Sequence, residues 1–97
     1  MSALTLCCLL RAVPGREAAL QAYEDAVLAL LPDHGGSVLQ RAVGDGGDGQ
    51  PHEVQILRFP DAAALDAYVA DPRRARMADE RDRVVARTEV FPVALRT

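Results

Sequence analysis

The chain has 97 residues, 49% of them hydrophobic but only 4% aromatic, with 14 acidic and 11 basic side chains and a formal net charge of −3. This length and composition predict one ordered domain over residues 1–97, with a small core of Ala, Val and Leu, and argue against a disordered chain. The negative charge argues against nucleic acid and anionic membrane as partners. Because every basic residue is arginine, a lysine Schiff base, a pyridoxal phosphate anchor and a Walker-type phosphate lysine are excluded.

The first apolar run, residues 3–11, has no basic residue ahead of it and is closed by Arg11 and Pro14, too short to span a bilayer. It reads as a strand with Leu4, Leu6, Cys8 and Leu10 on one side and Thr5, Cys7 and Leu9 on the other. With no export signal, the expectation is a cytoplasmic protein whose two cysteines are free thiols. Residues 16–31 follow a helical period, with Leu20, Tyr23, Val27 and Leu30 inward and Glu17, Gln21, Glu24 and Asp25 outward. Pro32 stops that helix, and Gly35-Gly36 lets the chain turn back. Residues 37–43 form a second strand, and a glycine-rich loop leads to a third at 53–59, antiparallel to the second. In EVQILRF, Val54, Ile56 and Arg58 face one way and Gln55, Leu57 and Phe59 the other, so both sides of this strand need covering.

Pro60 cannot continue a ladder, and Asp61 is placed to cap a helix opening at Ala62. Leu65, Tyr68 and Val69 form its apolar stripe. Asp71-Pro72 breaks the helix, which resumes to Val85 with Met77, Arg81, Val84 and Val85 as its buried side. On the water side, Arg76 with Glu80 and Asp79 with Arg83 have ion-pair spacing, so the arginine-rich run reads as a solvated face. Residues 87–95 complete the chain as a fourth strand, and Pro92 places it at an edge or a bulge.

The order βαββαβ is that of an α+β, ferredoxin-like fold, a four-stranded antiparallel sheet with its helices on one face. Leu4, Leu6, Cys8, Val54 and Ile56 are expected to share one apolar face, with Leu9, Leu57 and Phe59 on the opposite one. A lone subunit would leave one of these faces in water. The expected cover is a second copy related by a two-fold axis.

Taken together, PGRE before the first helix, HGG before the second strand, RFPDAAALDAYVADPRRAR and ARTEVFPV resemble the dimeric α/β-barrel superfamily over nearly the whole chain. That superfamily includes antibiotic-biosynthesis monooxygenases and muconolactone-isomerase-like proteins. The resemblance implies a homodimer whose sheets pack face to face, and a pocket in each subunit between sheet and helices. Monooxygenase and haem-degrading members commonly use an Asn and a Trp in that pocket, and this chain has neither. The histidine ligand of the haem-degrading members is also missing from residues 62–85. Haem degradation is therefore not carried over, and the case for a quinone-forming oxygenase is weakened.

The candidate catalytic residues are Tyr68, which can offer its hydroxyl to a ligand between helix and sheet, and His34, which precedes Gly35-Gly36 at a strand entrance. Candidate ligand-binding residues are Arg58 for an anionic group, Cys7 as a thiol in need of a basic neighbour, and His52 at a loop exit. Each has a plainer role: core packing for Tyr68, a turn hydrogen bond for His34, an interface ion pair for Arg58, a buried thiol for Cys7 and solvent exposure for His52. Cys7 and Cys8 point to opposite faces and lack zinc spacing, and Asp45 with Asp48 supplies too few ligands for calcium, so no metal is expected. GDGGDG matches the glycine pattern of nucleotide sites but lies between strands rather than opening a helix. The leading expectation is a homodimer that binds a small apolar or aromatic molecule without a cofactor. The alternatives are a cofactor-independent monooxygenase, isomerase or cyclase acting on an aromatic substrate, and a structural or regulatory dimer without a pocket.

Overall fold

The structure, a computed structural model, describes residues 3–96. Strand β1 (Leu4–Ala12) leads into helix α1 (Glu17–Leu28) and a 3-10 turn (Leu31–His34); β2 (Ser37–Val43) and β3 (Glu53–Phe59) follow. The helices α2 (Ala62–Val69), α3 (Pro72–Ala75) and α4 (Ala78–Val84) lead directly into β4 (Val85–Pro92). The four strands form one antiparallel sheet in the order β2-β3-β1-β4, the ferredoxin-like arrangement expected from the element order. Both apolar-rich strands are central, and the proline-bearing β4 lies at an edge.

The boundaries follow local chemistry. The Asp61 carboxylate accepts a hydrogen bond from the Ala64 amide at 2.8 Å and opens α2, as its position before an alanine run predicts. The Asp71 carboxylate accepts from the Arg73 amide and opens α3 at Pro72. Gly35 closes the 3-10 turn with φ +72°, and beside it Gly36 has no room for a side chain. A Cβ there would lie 2.6 Å from Leu31 Cδ2 and 3.1 Å from Phe59 Cε1. The fourth strand starts at Val85 rather than at residue 87, because α4 ends at Val84 and the Val84 carbonyl accepts from the Val13 amide at 2.9 Å.

The register corrects the expected faces. Antiparallel partners project to the same side of a sheet. Leu6 lies opposite Leu57 and Cys8 opposite Gln55, whereas Cys7 lies opposite Ile56 and Leu9 opposite Val54. The helix side therefore carries Leu6, Cys8 and Leu10 with Gln55, Leu57 and Phe59, all buried. The outer side carries Cys7, Leu9, Val54 and Ile56, joined by Phe91 of β4 opposite Cys7. Leu20, Tyr23, Val27 and Leu31 close the core from above, with Tyr68 and Val84. Glu24 also points inward, at 5% exposure, and not into water as its charge suggested. Arg81, expected on the buried side, is exposed. Among the described residues no helix is long and apolar enough to cross a membrane.

Candidate functional site

Between the sheet and the helices lies a cavity of about 140 Å³. Its floor is the helix side of β1 and β3, including Leu6, Cys8, Leu57 and Phe59; α1 contributes Tyr23, Glu24 and Val27, and α2 contributes Leu65 and Tyr68. The exposed side chains of Val69, Arg81 and Val90 mark where it meets solvent, with half-buried Arg74 on the same lining. An apolar cavity of about 150 Å³ in another protein holds benzene, so this volume suits a single ring.

One wall carries a buried polar chain. Gln55 Nε2 donates to Glu24 Oε1 and to Glu53 Oε2, both at 2.7 Å. Glu53 is wholly buried and is held by Arg41, whose Nε and Nη2 donate to its two oxygens at 2.8 and 3.1 Å. Arg41 Nη1 reaches out to Asp25 at 2.7 Å. A buried carboxylate is tolerated only when paired and hydrogen-bonded, which Arg41 achieves for Glu53. Among the described residues Glu24 has only the Gln55 amide, and burial, aided by the Glu53 charge, pushes its carboxyl above the usual range. A carboxyl in that state on an apolar wall has the chemistry of a proton donor or acceptor.

Tyr68 lines the cavity, but its hydroxyl donates to the Val27 carbonyl at 2.9 Å and so ties α2 to α1. Burial pushes this hydroxyl up to about 12, with the Arg74 charge pulling the other way. The Arg74 guanidinium lies 4.8 Å from the centre of the Tyr68 ring, a cation–π arrangement. His34 meets Tyr68 edge-on with ring centres 6.0 Å apart, but it does not line the cavity. Its Nε2 lies 2.8 Å from Asp71 Oδ2. The Asp71 carboxyl is also gripped by Arg73, and the two partners, Arg73 first, hold it well below the usual carboxylate range. The two candidate catalytic residues are thus neighbours, with one on the cavity and one behind it.

The other three candidates lie elsewhere. Arg58 and Cys7 are on the outer side of the sheet. His52 is buried at the start of β3, not exposed as expected, with Nε2 3.4 Å from Gln21 Nε2. It borders a hollow of about 450 Å³ at the 44–52 loop, whose lining also takes in Arg11 and Ala12 of β1, Glu17 of α1 and Ala86 of β4. The apolar cavity is the stronger candidate, because its lining comes from the core of rigid elements.

Sequence reading missed Glu24, Gln55 and Arg74. The signal for Glu24 was present: positions 20, 24, 27 and 31 are four, three and four apart, which sets Glu24 in the apolar stripe.

No protein-family model and no curated protein matches the chain. Solved structures do match it. PA3566 from Pseudomonas aeruginosa superposes with a TM-score of 0.76 at 21% identity, over 100% of this chain and 97% of that one. SnoaB, a cofactor-independent oxygenase from Streptomyces nogalater, gives 0.71 at 16% identity over 100% and 97%. A dimeric protein of unknown function and ferredoxin-like fold from Bacteroides fragilis gives 0.69 at 10% identity over 96% of each chain. The chain has the ferredoxin-like fold of these proteins. At such identities the likeness concerns backbone architecture, which is also what the sequence motifs pointed to.

Proposed function

We propose that the protein is a homodimer that binds a small, largely apolar or aromatic molecule between its sheet and its helices. The observation that carries this reading is the 140 Å³ cavity, whose walls are apolar apart from a few polar groups, Glu24 among them. Apolar walls supply affinity, and the few polar groups set orientation. The dimer is supported by the outer sheet side, where Cys7, Leu9, Val54, Ile56 and Phe91 make a patch that no helix among the described residues covers, and by the dimeric state of the Bacteroides fragilis neighbour.

Two measurements test the reading. In methyl-detected NMR, toluene should give saturable shifts at Leu6, Val27, Leu57 and Leu65, and Leu65→Trp, which fills the cavity, should abolish them. Shifts that do not saturate, or that survive Leu65→Trp, would refute the site. In sedimentation velocity the chain should run as a dimer and Ile56→Arg as a monomer; a monomeric parent chain would remove the dimer.

A second reading, a cofactor-independent enzyme that moves a proton on an aromatic substrate, is favoured by the raised carboxyl of Glu24 on the cavity wall and by the activity of SnoaB. In that reading Glu24 exchanges the proton, Tyr68 forms a wall and His34 braces Tyr68 from behind. Glu24→Gln should then abolish turnover of an accepted substrate while leaving its binding in place; full activity in that variant would reject the role.

A further inference from the structure

Three arginines of this chain show what the guanidinium edge formed by Nε and Nη2 does here. On Arg41 it takes both oxygens of Glu53, and on Arg73 it takes both oxygens of Asp71. On Arg74, which lines the cavity, that edge takes no carboxylate among the described residues. Nη1 donates to the Val69 carbonyl at 3.3 Å, whereas Nε is out of water and has no acceptor. Arg81 lines the same cavity near its mouth, and among the described residues neither guanidinium has a carboxylate within ion-pair distance. Among the described lining residues the only acidic side chain, Glu24, accepts from Gln55 instead.

A desolvated donor without an acceptor is costly, and two unneutralised guanidiniums at the lip of an apolar cavity favour an anion there. The fork of an arginine fits a carboxylate with two parallel hydrogen bonds. Resting on the cavity reading above, we propose that the ligand is a small carboxylic acid, bound as its carboxylate to Arg74 and Arg81 with a single-ring apolar body inside the cavity. Arg74 makes the paired hydrogen bonds and the stack on Tyr68 fixes its plane, while Arg81 adds charge from the solvent side.

The test compares benzoate with toluene, its uncharged counterpart of similar size, by NMR titration of the full chain at pH 7. Benzoate should bind at least about tenfold tighter than toluene, the factor one charge-assisted contact supplies. Arg74→Met and Arg81→Met should each remove most of that advantage, read as the ratio of benzoate to toluene affinity within the same variant, whereas Arg58→Met, on the other side of the sheet, should leave the ratio as it is. Because Arg81 is exposed, its variant keeps the test informative even if Arg74→Met fails to fold. Toluene binding with no advantage for benzoate, or an advantage that survives both substitutions, would overturn the carboxylate assignment and leave the cavity reading intact. If neither probe binds, both fall.

Discussion

Arg41→Met tests whether the buried polar chain holds the cavity wall together. The substitution keeps the apolar stem and removes the guanidinium, so Glu53, with 0% exposure, loses hydrogen bonds of 2.8 and 3.1 Å. Only Gln55 Nε2, already shared with Glu24, remains on it. Removing one partner of a buried ion pair costs about 3–5 kcal/mol, mostly from the stranded charge. The Arg41 side chain is 29% exposed, so water reaches the vacated space and the lower end, about 3 kcal/mol, applies. At about 4–8 °C per kcal/mol for a domain of this size, the melting temperature should fall by about 12–24 °C. Circular dichroism melts at one fixed protein concentration would measure it, since any self-association makes melting concentration-dependent. The loss should change little between 50 and 500 mM salt, because the charge left behind, Glu53, is buried away from the ions that screen surface charges. Adding Glu53→Gln should recover at least half of it by removing the stranded charge. A loss below about 1 kcal/mol, the value of a surface ion pair, would refute the reasoning, as would a double variant no more stable than the single one.

Three other outcomes follow from the same site. Burial raises the Glu24 carboxyl, so the folded protein holds that proton more tightly than the unfolded chain does. The group's stabilising contribution is full below the unfolded value and is lost as pH rises through the folded one. Glu24→Gln keeps an acceptor for Gln55 and cannot titrate, so the stability of the parent chain relative to this variant should fall in urea melts as pH rises above the ordinary carboxyl range. A difference that is flat with pH would contradict this. Tyr68→Phe should cost about 1 kcal/mol, one net hydrogen bond, because the Val27 carbonyl still accepts from the Leu30 amide; an unchanged melting temperature would show that the hydroxyl does not tie the helices. Burial, then the negative charges of Glu24 and Cys7, pushes the Cys8 thiol up to about 12, so iodoacetamide at pH 8 should spare Cys8 in the native protein and label it after unfolding. Native labelling at the unfolded rate would contradict its placement in the core.

The fold was legible because its signals are local and agree with one another. Asp61 caps a helix where its position predicts, Asp71-Pro72 interrupts the helical run as read, Pro92 lies in an edge strand, and the β2 limits coincide with the residues read from sequence. The pairing of faces was not legible, because a shift of one residue in register exchanges the two sides of a strand, and both sides of β1 and β3 carry apolar residues. The site was only partly legible. Tyr68 stands out as one of four aromatic residues in an apolar stripe, but the partner of its hydroxyl, the Val27 carbonyl, is 41 positions away. Charge misled the reading of Glu24, although its helical phase was right. Arg74 sits in a run of charged residues, and only the close approach of α3 to the Tyr68 ring distinguishes it from the solvated arginines beside it.

The apolar void between sheet and helices is most directly tested by a crystal structure under xenon pressure, since xenon enters dry cavities of this size. The account predicts a xenon atom among Leu6, Val27, Leu57 and Leu65. Xenon found only on the outer side of the sheet, or side chains filling the space between the layers, would contradict it.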